Sequence, residues 1–155
     1  MNAKIEELIP GAVYRDRTYT QTVVVRLRDG THLRLEDSTM RCGETHLGEE
    51  VEITISADIA ESVEQLSAGT VKMEPTDVEI GPGIDELETR VQEVRSVAET
   101  KITVLLALPS GELEYTFNTV RLPDSLPENY EPAVGDWLRF EGISNPHITS
   151  VSTRD

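Results

Sequence analysis

The chain has 155 residues and carries 29 acidic against 14 basic side chains, a formal net charge of −15. Such a surface repels phosphate backbones, because neutralising phosphates with Lys and Arg supplies most nucleic-acid affinity. A single cysteine, Cys42, excludes an intrachain disulfide, and the longest apolar run, Val104 to Leu108, is far short of the roughly 20 residues a membrane helix needs.

A short amphipathic start (Ile5, Leu8) ends at the breaker Pro10-Gly11. Residues 12–20 read as a strand with ragged alternation. Val23, Val25 and Leu27 then alternate with Val24, Arg26 and Arg28, the period of a half-buried strand. Asp29-Gly30 is a strong hairpin signal, since both central positions of the favoured two-residue turn need φ > 0. Leu33 and Leu35 continue the inward face, with His32, Arg34 and Glu36 outward. After a loop over 38–48, Val51, Ile53 and Ile55 alternate again. Ile59, Ala60, Val63 and Leu66 recur at helical spacing, with Asp58 and Glu61 as a capping box and Gly69 at the C′ position, so a helix is expected. Residues 70–73 suffice only for a closing strand, and the Pro75 to Gly83 stretch is the natural linker.

The plan then recurs. Residues 22–30 align without a gap on residues 103–111, at an offset of 81, with Thr, Val, Leu and Gly coinciding at four of nine positions. Residues 87–97 fit either a helix or a strand, and the repeat favours the strand. Thr103 to Leu108 and Leu113, Tyr115, Phe117 form a hairpin, 118–134 a loop, 135–142 a strand, and 147–152 the closing segment.

Three strands, a connecting segment and two further strands is the order of a five-stranded Greek-key barrel. Here the chain resembles the OB-fold family, and Gly135-Asp136-Trp137-Leu138-Arg139-Phe140-Glu141-Gly142 looks like the fourth-strand phrase of those barrels. The resemblance implies a mainly β fold of two tandem five-stranded OB-like barrels with one or two short helices. The barrels would span residues 1–75 and 84–155, joined by a linker over 76–83. A half of about 75 residues buries only about 60% of the surface its unfolded chain exposes, so contact between halves or with partners is expected. With 11 Arg, three Lys and few aromatics, the composition resembles that of proteins of salt-loving archaea and their viruses. In molar salt the Debye length falls to about 3 Å and self-repulsion is screened.

Two surfaces stand out. The second-half hairpin strand is apolar on both sides, so the face bearing Thr103, Leu105 and Ala107 is expected to meet the linker, the first barrel or another subunit, the plainer account being cover by a loop of the same chain such as 118–134. Trp137, out of phase with Leu138 and Phe140, belongs near the same kind of interface. The second surface is cationic: Arg15, Arg17, Arg26, Arg28, His32, Arg34 and Arg41 cluster on the first hairpin and its surroundings. OB folds bind oligonucleotides on that face, with Arg for phosphates and aromatics for bases. Only Tyr14 and Tyr19 are available as platforms, and ion pairing or snorkelling of the Arg stems is the plainer account.

Cys42 and His46 with two scattered His do not supply a tetrahedral zinc set. There is no nucleophile elbow, no phosphate loop and no convergent titratable set, so neither cofactor nor catalysis is expected. The expectation is a non-catalytic structural or adaptor protein that self-associates or joins a larger assembly, such as a haloarchaeal virus particle. The alternative is a tandem single-stranded nucleic-acid binder. Without a signal-peptide layout in residues 1–12, the expected place is the cytoplasm or a virion, with no membrane partner.

Overall fold

The computed structural model describes residues 1–77, 81–123 and 125–153. The middle of the expected linker, residues 78–80, lies outside the described residues.

Alternation builds a closed five-stranded barrel from β1 (Asn2–Pro10), β4 (Gln21–Leu27), β5 (His32–Asp37), β6 (Glu50–Ala57) and β13 (His147–Thr153). Ala3 and Ile5, Val23, Val25 and Leu27, Leu33 and Leu35, Val51, Ile53 and Ile55, and Ile148 point inward and are buried. Each fully buried aliphatic side chain contributes about 1.5–3 kcal/mol relative to exposure. β1, β4 and β5 form an antiparallel meander, and β6 closes on β1 through Ala3↔Val51. β13 completes the ring, antiparallel to β6 and parallel to β5 at His147↔Glu36. The ring order β1-β4-β5-β13-β6 is that of an OB-like barrel. Its fifth strand comes from the end of the chain, across the expected linker.

Between β1 and β4, β2 (Val13–Tyr14) and β3 (Arg17–Thr18) make a separate two-stranded ribbon. The ragged stretch 12–20 is therefore a hairpin. Its tight turn, Arg15-Asp16, has φ of 50° and 62°, while the Asp29-Gly30 turn has positive φ only at Gly30 (89°). There, Gly30 N–H donates to Leu27 O and Leu27 N–H to Thr31 O, a three-residue loop instead of the two-residue turn expected.

The remaining strands are β7 (Ala60–Leu66), β8 (Lys72–Pro75), β9 (Gly83–Val97), β10 (Lys101–Leu108), β11 (Gly111–Asn118) and β12 (Trp137–Ser144). Here the expectation of a second closed barrel fails. β9, β10, β11 and β12 repeat the pairing of β1, β4, β5 and β6, but the fifth position is divided. Ser56 and Ala57, at the end of β6, lie parallel to β11, and β7 lies antiparallel to β12. The two sets are reciprocal: β6 runs on into the strand beside β12, and β12 runs on into the strand beside β6. The crossing points touch where Ser144 N–H donates to Ile59 O (3.0 Å).

The expected helix over 58–69 is β7, because six ladder positions opposite β12 outweigh a weak helical period with one fully buried residue, Val63. Apart from a single 3-10 turn at Glu44–His46, the described residues hold no helix, so the expected short helices are absent. The expected closing strand at 70–73 becomes β8, which pairs with β9 rather than with the barrel. The Gly135–Gly142 phrase falls on β12, outside the closed ring. Residues 87–97 are strand, as the repeat implied. One continuous apolar core runs from Ile5 and Val25 through Leu106 to Phe140.

Candidate interaction surfaces

The apolar outer face of β10 is covered from within the chain. Leu105 and Ala107 are 8% and 7% exposed, and Thr103 shares a 2.9 Å hydrogen bond with the Thr116 hydroxyl on β11. Leu105 lines a crevice with Met1, Ile53, Ile55 and Arg95, so the cover over this part is Met1 and the barrel's own β6. Of the covers that strand periodicity allowed, the chain uses its first barrel over Leu105. Periodicity registers that a face is apolar; it carries no information on what closes it.

Ala107 and Trp137 do share one surface. They line an open groove of about 480 Å³ with Val71, Arg90, Val91, Gln92 and Val134, and Val134 is 65% exposed. Trp137 starts β12, held by the Asp136 carboxylate, which accepts from the Tyr130 hydroxyl (2.7 Å) and the Ala133 N–H (3.0 Å). Burial, with the Asp136 hydrogen bond and charge, pushes the Tyr130 hydroxyl well above the usual phenol range. That loop packs on the core through Tyr130 and Phe117, and the Ser125 hydroxyl donates to Val63 O. Sequence reasoning missed Val71, Arg90 and Val134: a valine in the Glu-Pro-Ala-Val loop carries no periodicity to mark it. Thr103 and Leu105 lie away from this groove.

The cationic residues fall into separate groups. Arg26 sits opposite His32 on β5 and Lys4 on β1, and its Nε lies 3.1 Å from Glu6. Lys4, Arg26 and Arg28 line a second open groove of about 560 Å³ with Asn2, Gly48 and Glu50. Arg34, in mid-strand opposite Val24, has a buried Nε with no hydrogen-bond partner. Arg15, Arg17 and Arg41 sit at the other end of β4. The five residue steps from Gln21 to Arg26 correspond to about 17 Å of strand.

At that end Asp37, fully buried, accepts hydrogen bonds from Gln21 Nε2 (2.8 Å), Arg41 N–H (2.9 Å) and Cys42 N–H (2.8 Å), pinning the 38–48 loop. Burial, and then the Asp37 charge, push the Cys42 thiol up to about 11. His46 Nδ1 accepts from Gly43 N–H (2.9 Å) instead of facing Cys42, and no cluster of three ligating residues occurs among the described residues.

On the β2–β3 ribbon, Arg15 lies over the Tyr14 ring (5.2 Å) and Arg17 over Tyr19 (5.3 Å). Tyr14, Val13 and Tyr19 are 61%, 57% and 47% exposed, whereas Tyr115, Phe117 and Phe140 pack edge-to-face or tilted in the core. The sequence signal was the broken alternation of 12–20, which marks a two-residue turn as readily as an irregular strand. No helix among the described residues is long and apolar enough to cross a membrane. The sequence matches no known protein-family model and no curated protein.

Proposed function

We propose that the chain is a non-catalytic structural or adaptor protein, built to join an assembly through surfaces its barrel framework holds rigid. The observation that carries this reading is the groove of about 480 Å³ at Trp137, where half-buried Val71 and exposed Val134 present apolar surface beside Arg90. Aromatic and Arg side chains set around apolar surface are the residue types that dominate interface energetics. The strand exchange between the two sets supports a rigid frame, because neither set completes its sheet without the other. Within this reading, an acid-rich surface with 11 Arg and three Lys suits a component of a particle assembled in molar salt, such as that of a haloarchaeal virus.

The test is light scattering in molar salt, of the wild type and of Val134→Asp and Trp137→Ala. A mass that falls in the groove variants, with unchanged circular dichroism, supports the reading. A wild type that stays monomeric at every concentration, and whose groove variants behave identically in the presence of its neighbouring gene products, sinks it.

One observation favours the nucleic-acid alternative: Tyr14 and Tyr19 carry Arg15 and Arg17 over their rings, the pairing of stacking platform and phosphate ligand that single strands use. Separation of these from Arg26, Arg28 and His32 confines that reading to one short arm. A labelled oligonucleotide retarded by the wild type and not by Arg15→Glu/Arg17→Glu supports it.

A further inference from the structure

The β2–β3 ribbon prolongs the β1–β4 pair past Pro10↔Gln21, through Gly11 N–H to Thr20 O and Tyr19 N–H to Ala12 O; among the described residues no third strand flanks it, and two strands alone are marginally stable in water. It nevertheless holds two of the chain's four tyrosines in the open, each under an arginine. Residues 11–20 thus form a short cationic and aromatic arm, on a chain whose formal net charge is −15. That acidity is concentrated. Glu74, Glu86 and Glu141 stand directly opposite one another across β8, β9 and β12. Like charges in register destabilise a sheet. Among the described residues, Arg139 is the one cation ion-paired to this row, 2.8 Å from Glu86 and 3.5 Å from Glu141. With Glu61 and Asp85 the row lines an open hollow of about 320 Å³.

We infer that the arm docks on the acidic β8–β9–β12 face of a second copy of this chain, Arg15 and Arg17 against the carboxylate row and the tyrosines covered by the contact. The inference rests on the assembly reading above and names its partner. Charge complementarity selects that partner: the arm sets Arg15 and Arg17 beside exposed tyrosines, and among the described residues the five carboxylates of the hollow have Arg139 alone as an ion-pair partner. Because arm and acceptor are different surfaces, the contact is heterologous and propagates into a ring or a filament.

The experiment uses two full-length variants. Arg15→Glu/Arg17→Glu spoils the arm and keeps the acceptor; Glu61→Lys/Glu141→Lys spoils the acceptor and keeps the arm. Circular dichroism matching the wild type establishes that both are folded. By light scattering the wild type should show concentration-dependent multiples of the monomer mass, each variant alone the monomer mass, and their equimolar mixture a species of twice that mass. A second pair, Tyr14→Ser/Tyr19→Ser, should weaken the wild-type association at least tenfold in molar salt, where the charge contribution is screened. Wild-type oligomers that survive the arm variants overturn the docking and leave the assembly reading standing. A monomeric wild type overturns docking and self-assembly together. An arm that shifts a labelled oligonucleotide on a monomeric protein assigns it to nucleic acid and overturns the docking.

Discussion

Asp37 shows how much one buried charge organises. Its carboxylate satisfies three donors at the junction of β4, β5 and the 38–48 loop. Each donor left unpaired in the interior costs about 1–3 kcal/mol, so Asp37→Ala should lower unfolding free energy by about 3 kcal/mol or more, measured by urea denaturation. Cys42, held against Asp37, should be correspondingly inert. With its thiol at about 11 instead of 9.0, the thiolate fraction at pH 8 falls about 100-fold, and Ellman's reagent should react at the rate of unfolding. The sign of the pH dependence follows. Cys42 and Tyr115, the latter raised to about 12 by burial and the Asp58 charge, both have folded values above their unfolded ones. Their contribution is complete below about pH 9 and is lost as pH rises towards 11–12. Melting temperature should therefore decline from pH 9 upward, and Cys42→Ser should remove the earlier part of that decline.

At the scale of single elements, β12 joins two roles on its two sides. Phe140 is fully buried, with Tyr115 at 4.8 Å and Phe117 at 6.2 Å, and Phe140→Ala should cost about 3–5 kcal/mol. Trp137, three residues earlier, lines the open groove, and Trp137→Ala should cost less than half as much while changing association. Equilibrium unfolding beside light scattering separates the two effects. The alternation around Leu138 already marked these opposite fates. β7 was illegible for a different reason. Ala60, Val63 and Leu66 satisfy a helical period, and Asp58 and Gly69 supply plausible caps, yet isolated short helices are marginal. The ladder to β12 pairs six residues and sequesters Val63, so long-range pairing overrides the local preference.

On the scale of the whole molecule, reciprocal exchange of strands binds the early and late parts of the chain into one cooperative unit. Residues 1–77 alone lack β13 to close the barrel and lack β9 and β12 to hold β7 and β8. Separate fragments 1–77 and 78–155 should each fail to unfold cooperatively and should regain a sharp transition when mixed, as followed by circular dichroism. The intact chain should show a single calorimetric transition. A net charge of −15 adds self-repulsion that salt relieves, because the Debye length shrinks from about 10 Å at 0.1 M to about 3 Å at 1 M. The midpoint of that transition should rise steadily between these concentrations, and more steeply than in a variant with several surface Glu changed to Gln.

The sequence by itself determined the strand-rich class, the paired hairpins at 22–35 and 103–117, the inward sets Val23, Val25, Leu27 and Leu113, Tyr115, Phe117, and the coming apart of Trp137 from its core neighbours. These are local: alternation at period two states which side of a strand turns from water, whatever the strand pairs with. Only the tertiary structure decided that β13 closes the first barrel, that β7 joins β12, that the barrel covers Leu105, and that the arginines separate into an arm and a groove. Such outcomes depend on hydrogen bonds between residues up to about a hundred positions apart, as Ser56 and Thr149 are. No pattern within a strand encodes its partner across that distance.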